Sequence, residues 1–72
     1  MKFEIIKLVQ DKEVAWNGTL KDLEGFNIRV YDKSAGNTFN GRVVNGKAVS
    51  RNRFDLQRVA RALSEIKKGE IK

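Results

Sequence analysis

The sequence predicts an α+β domain, an antiparallel β-meander of about four strands followed by one C-terminal α-helix packed on one face. Three observations carry this. Asn-Gly pairs at Asn17-Gly18, Asn40-Gly41 and Asn45-Gly46 suit tight turns whose two central residues need positive φ. Apolar and polar residues alternate strictly through FNIRVYD, residues 26 to 32. Apolar residues at helical spacing then occupy the end of the chain, and strands followed by a helix define the α+β class.

Taken in order, KFEIIKLV (2 to 9) reads as the first strand, and Gln10 to Glu13 as a polar turn. VAW (14 to 16) and TLK (19 to 21) pair across Asn17-Gly18. In the next strand Phe26, Ile28 and Val30 share one face, and Asn27, Arg29 and Tyr31 the other. A polar loop, DKSAGN (32 to 37), leads to a strand within TFNGRVV (38 to 44). There Asn40-Gly41 reads as a turn or as a bulge, since two reversals five residues apart leave little strand between them. Asn45-Gly46 turns into KAV (47 to 49). The helix follows, with Ser50 as N-cap and Val49 with Phe54 as a hydrophobic staple. Leu56, Val59, Ala60, Leu63 and Ile66 form its core stripe at about 100° per residue. Asp55 near its start, Lys67 and Lys68 near its end and Gly69 beyond suit the helix dipole and a glycine cap.

The chain has 72 residues, enough for a single domain over 1–72 and no more. A chain of this length buries only about 60% of the surface its unfolded form exposes, so the core is thin and a homodimer is expected. Cysteine and histidine are both absent. This removes disulfides, thiolate zinc sites and the commonest general base and metal ligand, so the expectation is a non-enzymatic protein without catalytic residues, metal or cofactor. The glycines make no phosphate-binding loop, and the acidic residues Asp11, Glu13, Asp22, Glu24 and Asp32 fall in turns at spacings that suit neither a carboxylate dyad nor a calcium loop. The opening stretch MKFEIIKLVQDKE is too short and too charged for a signal peptide or a membrane span, which leads to the expectation of a cytoplasmic protein with no membrane partner.

Charge is uneven. Residues 1 to 20 and 21 to 40 each carry three basic and three acidic side chains, whereas residues 41 to 72 carry nine and three, so the whole excess of six positive charges lies at the C-terminal end. Such an excess attracts polyanions, nucleic acid first.

Two constellations are candidate binding surfaces. On the helix, Arg51, Arg58, Arg61 and Lys68 flank Phe54, and the four-residue spacing of Phe54 and Arg58 lets a guanidinium lie over the ring. This is either an arginine comb with an aromatic platform or a solvated basic face whose Phe54 packs as a staple, and the staple geometry favours packing. On the sheet, Asn27, Arg29 and Tyr31 share a face, with Arg42 and Phe39 from the neighbouring strand and Trp16 and Lys47 nearby. Arginines hold phosphates and rings stack bases, which is what single-stranded nucleic acid requires. Trp16 has a second reading as a core residue.

FNIRVY (26 to 31) and GKAVSRNRF (46 to 54) resemble the positive cofactor four (transcriptional coactivator) family of single-stranded-DNA-binding proteins and its short bacterial and phage relatives. Ile28, Arg29 and Tyr31 match its Ile-Arg strand with an aromatic just beyond. Gly46, Val49, Ser50 and Phe54 match its second element. The resemblance covers roughly residues 16 to 63. It implies a four-stranded curved antiparallel sheet followed by a helix, dimerisation through the helix and a sheet edge, and single-stranded DNA on the concave face. By that resemblance Arg29 and Tyr31 contact DNA, while Phe54 is a packing residue.

The leading expectation is therefore a dimeric protein that binds single-stranded DNA, or RNA, across its sheet. The alternatives are duplex DNA or RNA gripped by the basic helix, and a small phage-type protein that docks on an acidic protein partner.

Overall fold

A computed structural model describes residues 3–69, and Lys2, the first residue of the expected opening strand, lies outside them. The elements are β1 (Phe3–Val9), β2 (Lys12–Val14), a 3₁₀ turn (Lys21–Leu23), β3 (Asn27–Asp32), β4 (Asn37–Val44), β5 (Lys47–Val49) and α1 (Arg53–Lys67). An antiparallel sheet followed by one C-terminal helix is thus present, with five strands in the order β2-β1-β3-β4-β5. A pure meander would place β2 between β1 and β3. Here β1 occupies the middle position and pairs with both.

The difference comes from the first reversal. Gln10 and Asp11 both adopt positive φ, 51° and 64°, and close a two-residue hairpin that sets Val9 opposite Lys12. The second strand is therefore KEV, and the expected VAW/TLK hairpin does not form. The carboxamide of Asn17 explains why. Its Oδ1 accepts from the Thr19 amide at 2.9 Å and the Thr19 hydroxyl at 2.7 Å, a local side-chain turn that competes with strand pairing. Thr19 Oγ1 then accepts from the Asp22 amide at 3.3 Å and leads into the 3₁₀ turn.

Asn40-Gly41 is neither a turn nor a bulge, since β3 and β4 stay in unbroken register, with Arg29 opposite Asn40 and Ile28 opposite Gly41. The glycine answers a different demand. A Cβ there would lie 3.1 Å from both methyl groups of Val59, so its absence lets the helix rest on the strand. Asn45-Gly46 does form the hairpin expected of it, with φ of 53° and 75°. Its two amides donate to the Glu24 carboxylate at 2.6 and 2.9 Å, which ties the turn to the segment before β3.

Phe3, Ile5, Ile28, Val30 and Val43 of the sheet form the core with Leu23 and with Val59, Ala62, Leu63 and Ile66 of α1, and Trp16, Leu20, Phe39 and Ala48 pack around its margin. Each buried aliphatic side chain contributes roughly 1.5–3 kcal/mol. The helix stripe is rotated from the expected one: Ala62 is buried and Ala60 exposed.

The start of α1 also differs. Asn52 is the N-cap, and its side chain accepts from the amides of Phe54 at 2.8 Å and Asp55 at 3.4 Å. Ser50 is still part of the sheet edge: its hydroxyl donates to the Asn40 carbonyl at 3.1 Å, while the Asp55 carboxylate accepts from the Asn40 amide at 3.4 Å. These side chains satisfy β4 beyond the end of β5. A staple joins the residue before the cap to the fourth residue after it. With Asn52 as cap that fourth residue is Leu56, half-buried, whereas Phe54 is the second residue of the helix and is 75% exposed. Gly69, with φ 78°, ends the helix as expected, its amide donating to the Ile66 carbonyl at 2.9 Å. Among the described residues no helix is long and apolar enough to cross a membrane.

Candidate nucleic-acid interface

Because strand side chains alternate, the register that buries Ile5, Ile28 and Val30 beneath α1 sends their neighbours to the opposite, helix-free face. Three cross-strand rows result. Glu13, Leu8, Asn27, Arg42 and Val49 run across all five strands. Ile6, Arg29 and Asn40 form the next row, and Glu4, Tyr31 and Thr38 the third. Lys47, opposite Val44, extends this face beyond the first row. Of the expected sheet constellation, Asn27, Arg29, Tyr31 and Arg42 share this face with Lys47 beside them, whereas Phe39 and Trp16 do not join them.

Electrostatics on the open face are mixed. Arg29 Nη1 lies 3.3 Å from Glu13 Oε2, and since Arg29 stands opposite Ile6 and Glu13 opposite Leu8, the pair crosses β1 on the open face. It helps to explain why Leu8 is only 9% exposed although it lies outside the main core cluster. Arg42 Nε donates to the Gly25 carbonyl at 3.3 Å, which spends one of the five guanidinium N–H groups and fixes the direction of the rest. Arg29, Arg42 and Lys47 thus stand against Glu4 and Glu13. Tyr31, 36% exposed, is the aromatic side chain of this face.

Phe39 is on the other face. It pairs with Val30, packs against the core and lies beneath the Arg58 guanidinium, whose carbon is 5.8 Å from the ring centre. Phe39 and Arg42 are three residues apart in one strand, so they share a face only if a bulge intervenes, and the uninterrupted register at Asn40-Gly41 rules that out. Trp16 takes its core reading, packed against the buried cluster with its indole N–H donating to the Thr19 carbonyl at 2.8 Å.

The helix comb is also divided. Arg58 reaches down to Asp32, Nη1 to Oδ2 3.6 Å, instead of stacking on Phe54. Asp32 is buried, and its Oδ1 accepts from the Ser34 hydroxyl at 2.8 Å and the amides of Ser34 and Ala35 at 3.0 and 3.2 Å. The Ser34 hydroxyl holds its carboxyl below the usual range, opposed by desolvation and aided by the two amides and Arg58. Arg61 remains exposed on the outer side of α1, and Arg51 is exposed in the short link between β5 and α1.

Three of the five acidic residues expected in turns are structural acceptors, and two, Glu13 and Asp32, lie within strands. Besides Asp32 and Glu24, Asp22 accepts from Lys7 Nζ at 3.1 Å, and this lowers the Asp22 pKa. Lys7 also sits 4.3 Å from the centre of the Phe26 ring. The Asp-x-Ser spelling at 32 to 34 was a readable signal for the loop, since Asp favours such side-chain turns, while Glu24 with Asn45-Gly46 left no local signal. No family model matches the chain, and neither a curated protein nor a solved structure does.

Proposed function

We propose that this protein binds single-stranded nucleic acid, DNA or RNA, on the helix-free face of its sheet. The observation that carries the reading is the gathering of Arg29, Arg42, Lys47 and Tyr31 on that uncovered face. The guanidinium and ammonium groups bind phosphates, and Tyr31 offers a ring on which a base of any identity stacks. Arg29 exchanges Glu13 for phosphate at little cost, because an exposed ion pair is worth about 0–1 kcal/mol and weakens with salt. The same roles for Arg29 and Tyr31 follow from the resemblance to the positive cofactor four family.

One observation favours a second reading, duplex DNA or RNA on the outer side of α1: Phe54 is 75% exposed, among Arg53 and Arg61. The commitment of Arg58 to Asp32 weakens it. Fluorescence anisotropy with labelled oligo-dT separates the two. Affinity is expected to fall between about 50 and 200 mM salt as phosphate contacts give way to counterions. Arg29→Glu with Arg42→Glu is expected to weaken binding at least about tenfold, and Arg53→Glu with Arg61→Glu by much less, since salt affects both pairs alike but only the first touches the strand. The opposite ranking, with duplex outcompeting the single strand, would transfer the function to the helix. Binding that is absent or indifferent to salt would end both readings.

A further inference from the structure

The first cross-strand row ends in a cleft of about 620 Å³ at the junction between the open face and the start of α1. Its volume lies within the roughly 300–1,000 Å³ of small-ligand sites. Leu8, next to Glu13 in the row, and Val49, at its β5 end, give apolar surface, and Val49 is half exposed although large and aliphatic. Asn27 lies between them and Asn40 borders the cleft from the next row; each side-chain amide can donate and accept, and no hydrogen bond within the described residues occupies either. The charges are segregated by the strand order. Asp11 borders the cleft from the β1–β2 turn, and Arg42 and Arg51 from the β4–β5 side. Asp55 also borders it, with its carboxylate turned to the Asn40 amide.

An apolar floor, two uncommitted amides, and a cationic end opposite an acceptor end match the parts of a nucleotide. Resting on the single-strand reading above, we infer that this cleft takes one nucleotide of the bound strand with its base inserted. The base lies over Leu8 with its edge toward Asn27 and Asp11, and the sugar and phosphate reach across β4 toward Val49, Arg42 and Arg51. The cleft adds a base-dependent contribution to an interface otherwise dominated by phosphate.

The test compares oligo-dT with an abasic phosphate ladder of equal length, both labelled, by anisotropy at one salt concentration. Wild-type protein is expected to prefer the base-bearing strand at least about tenfold, as one well-held base supplies. Asn27→Leu, which puts a branched apolar group in place of the amide, and Asn27→Ala, which removes the amide altogether, are expected to cut that preference to about threefold or less while affinity for the ladder is retained. Both changes fall at an exposed strand position. Equal wild-type affinity for the two ligands overturns the cleft and leaves the phosphate-binding reading standing. A preference that survives both variants places the base elsewhere on the sheet. Failure of both ligands to bind removes the single-strand reading itself, and the cleft with it.

Discussion

β3 and the first turns of α1 carry the same kinds of side chain, arginines close to one exposed aromatic, yet the fold treats them differently. In β3, Asn27, Arg29 and Tyr31 emerge side by side because Ile28, Val30 and Asp32 are buried between them. Burying one set leaves the other a single possible direction. At the start of α1 the grouping breaks up: Arg51 stays in the link at the rim of the sheet, Arg58 folds under to Asp32 and Phe39, and Phe54 and Arg61 remain outside. A strand offers two directions and a helix a continuous circle. A grouping on a strand is therefore fixed by the core beneath it, whereas one on a helix depends on where the helix begins and how it is rolled.

The strongest way to break that contrast is to test the roll. Ala62 is fully buried and Ala60 exposed, the reverse of a stripe drawn at ideal spacing through Leu56, Val59, Ala60, Leu63 and Ile66. Ala62→Leu is expected to cost about 2 kcal/mol through overpacking, measured by urea denaturation. Ala60→Leu should stay within about 0.5 kcal/mol, since its surroundings have room. Equal costs would mean that the helix sits midway between the two orientations. In a small domain the larger loss is a substantial share of total stability, of the order of 5 kcal/mol for a chain near this length.

A smaller effect sharpens where the helix begins. Asn52→Ala removes the acceptor for two helix amides and is expected to cost about 1 kcal/mol. Ser50→Ala loses two exposed hydrogen bonds, one donated to the Asn40 carbonyl and a long one of 3.4 Å accepted from the Asn52 amide, and about 0.5 kcal/mol should go with them. A larger cost at Ser50 would restore it as the cap. The expected cap, Ser50, is held at the sheet edge instead because Asn40, which lies in another strand, needs a partner where β5 ends, and nothing local to SRN reveals that demand. The same limit explains the misplaced hairpin. Asn17-Gly18 is a competent turn, but Thr19 takes the Asn17 carboxamide locally, and Gln10-Asp11 reverses the chain without a glycine. What was legible was what a strand period and a nearby turn decide: β3 with both its faces, the Asn45-Gly46 hairpin, the glycine end of α1 and the class of fold. What was not legible depended on contacts between distant segments. Phe39 is the sharpest case, since only a bulge, one of the two readings of Asn40-Gly41, would have set it on the same face as Arg42, and the glycine is there instead because Val59 approaches.

The smallest expected effect is at Phe54. A buried phenylalanine truncated to alanine costs about 3–5 kcal/mol, and a staple contact is worth a part of that. At 75% exposure Phe54 has little burial to lose. Alanine is the better helix former by a few tenths of a kcal/mol, so two small terms of opposite sign nearly cancel. Phe54→Ala should therefore change unfolding free energy by no more than about 0.5 kcal/mol, and oligo-dT affinity by about twofold or less. The measurement also bears on assembly. If wild-type stability rises with protein concentration and Phe54→Ala abolishes the rise, the ring is covered by a second copy, because only a bound partner makes stability depend on concentration. Flat stability for both proteins would leave Phe54 as an isolated apolar side chain in water, which is ordinary for one residue, and would leave the open face of the sheet as the surface that the fold has kept uncovered.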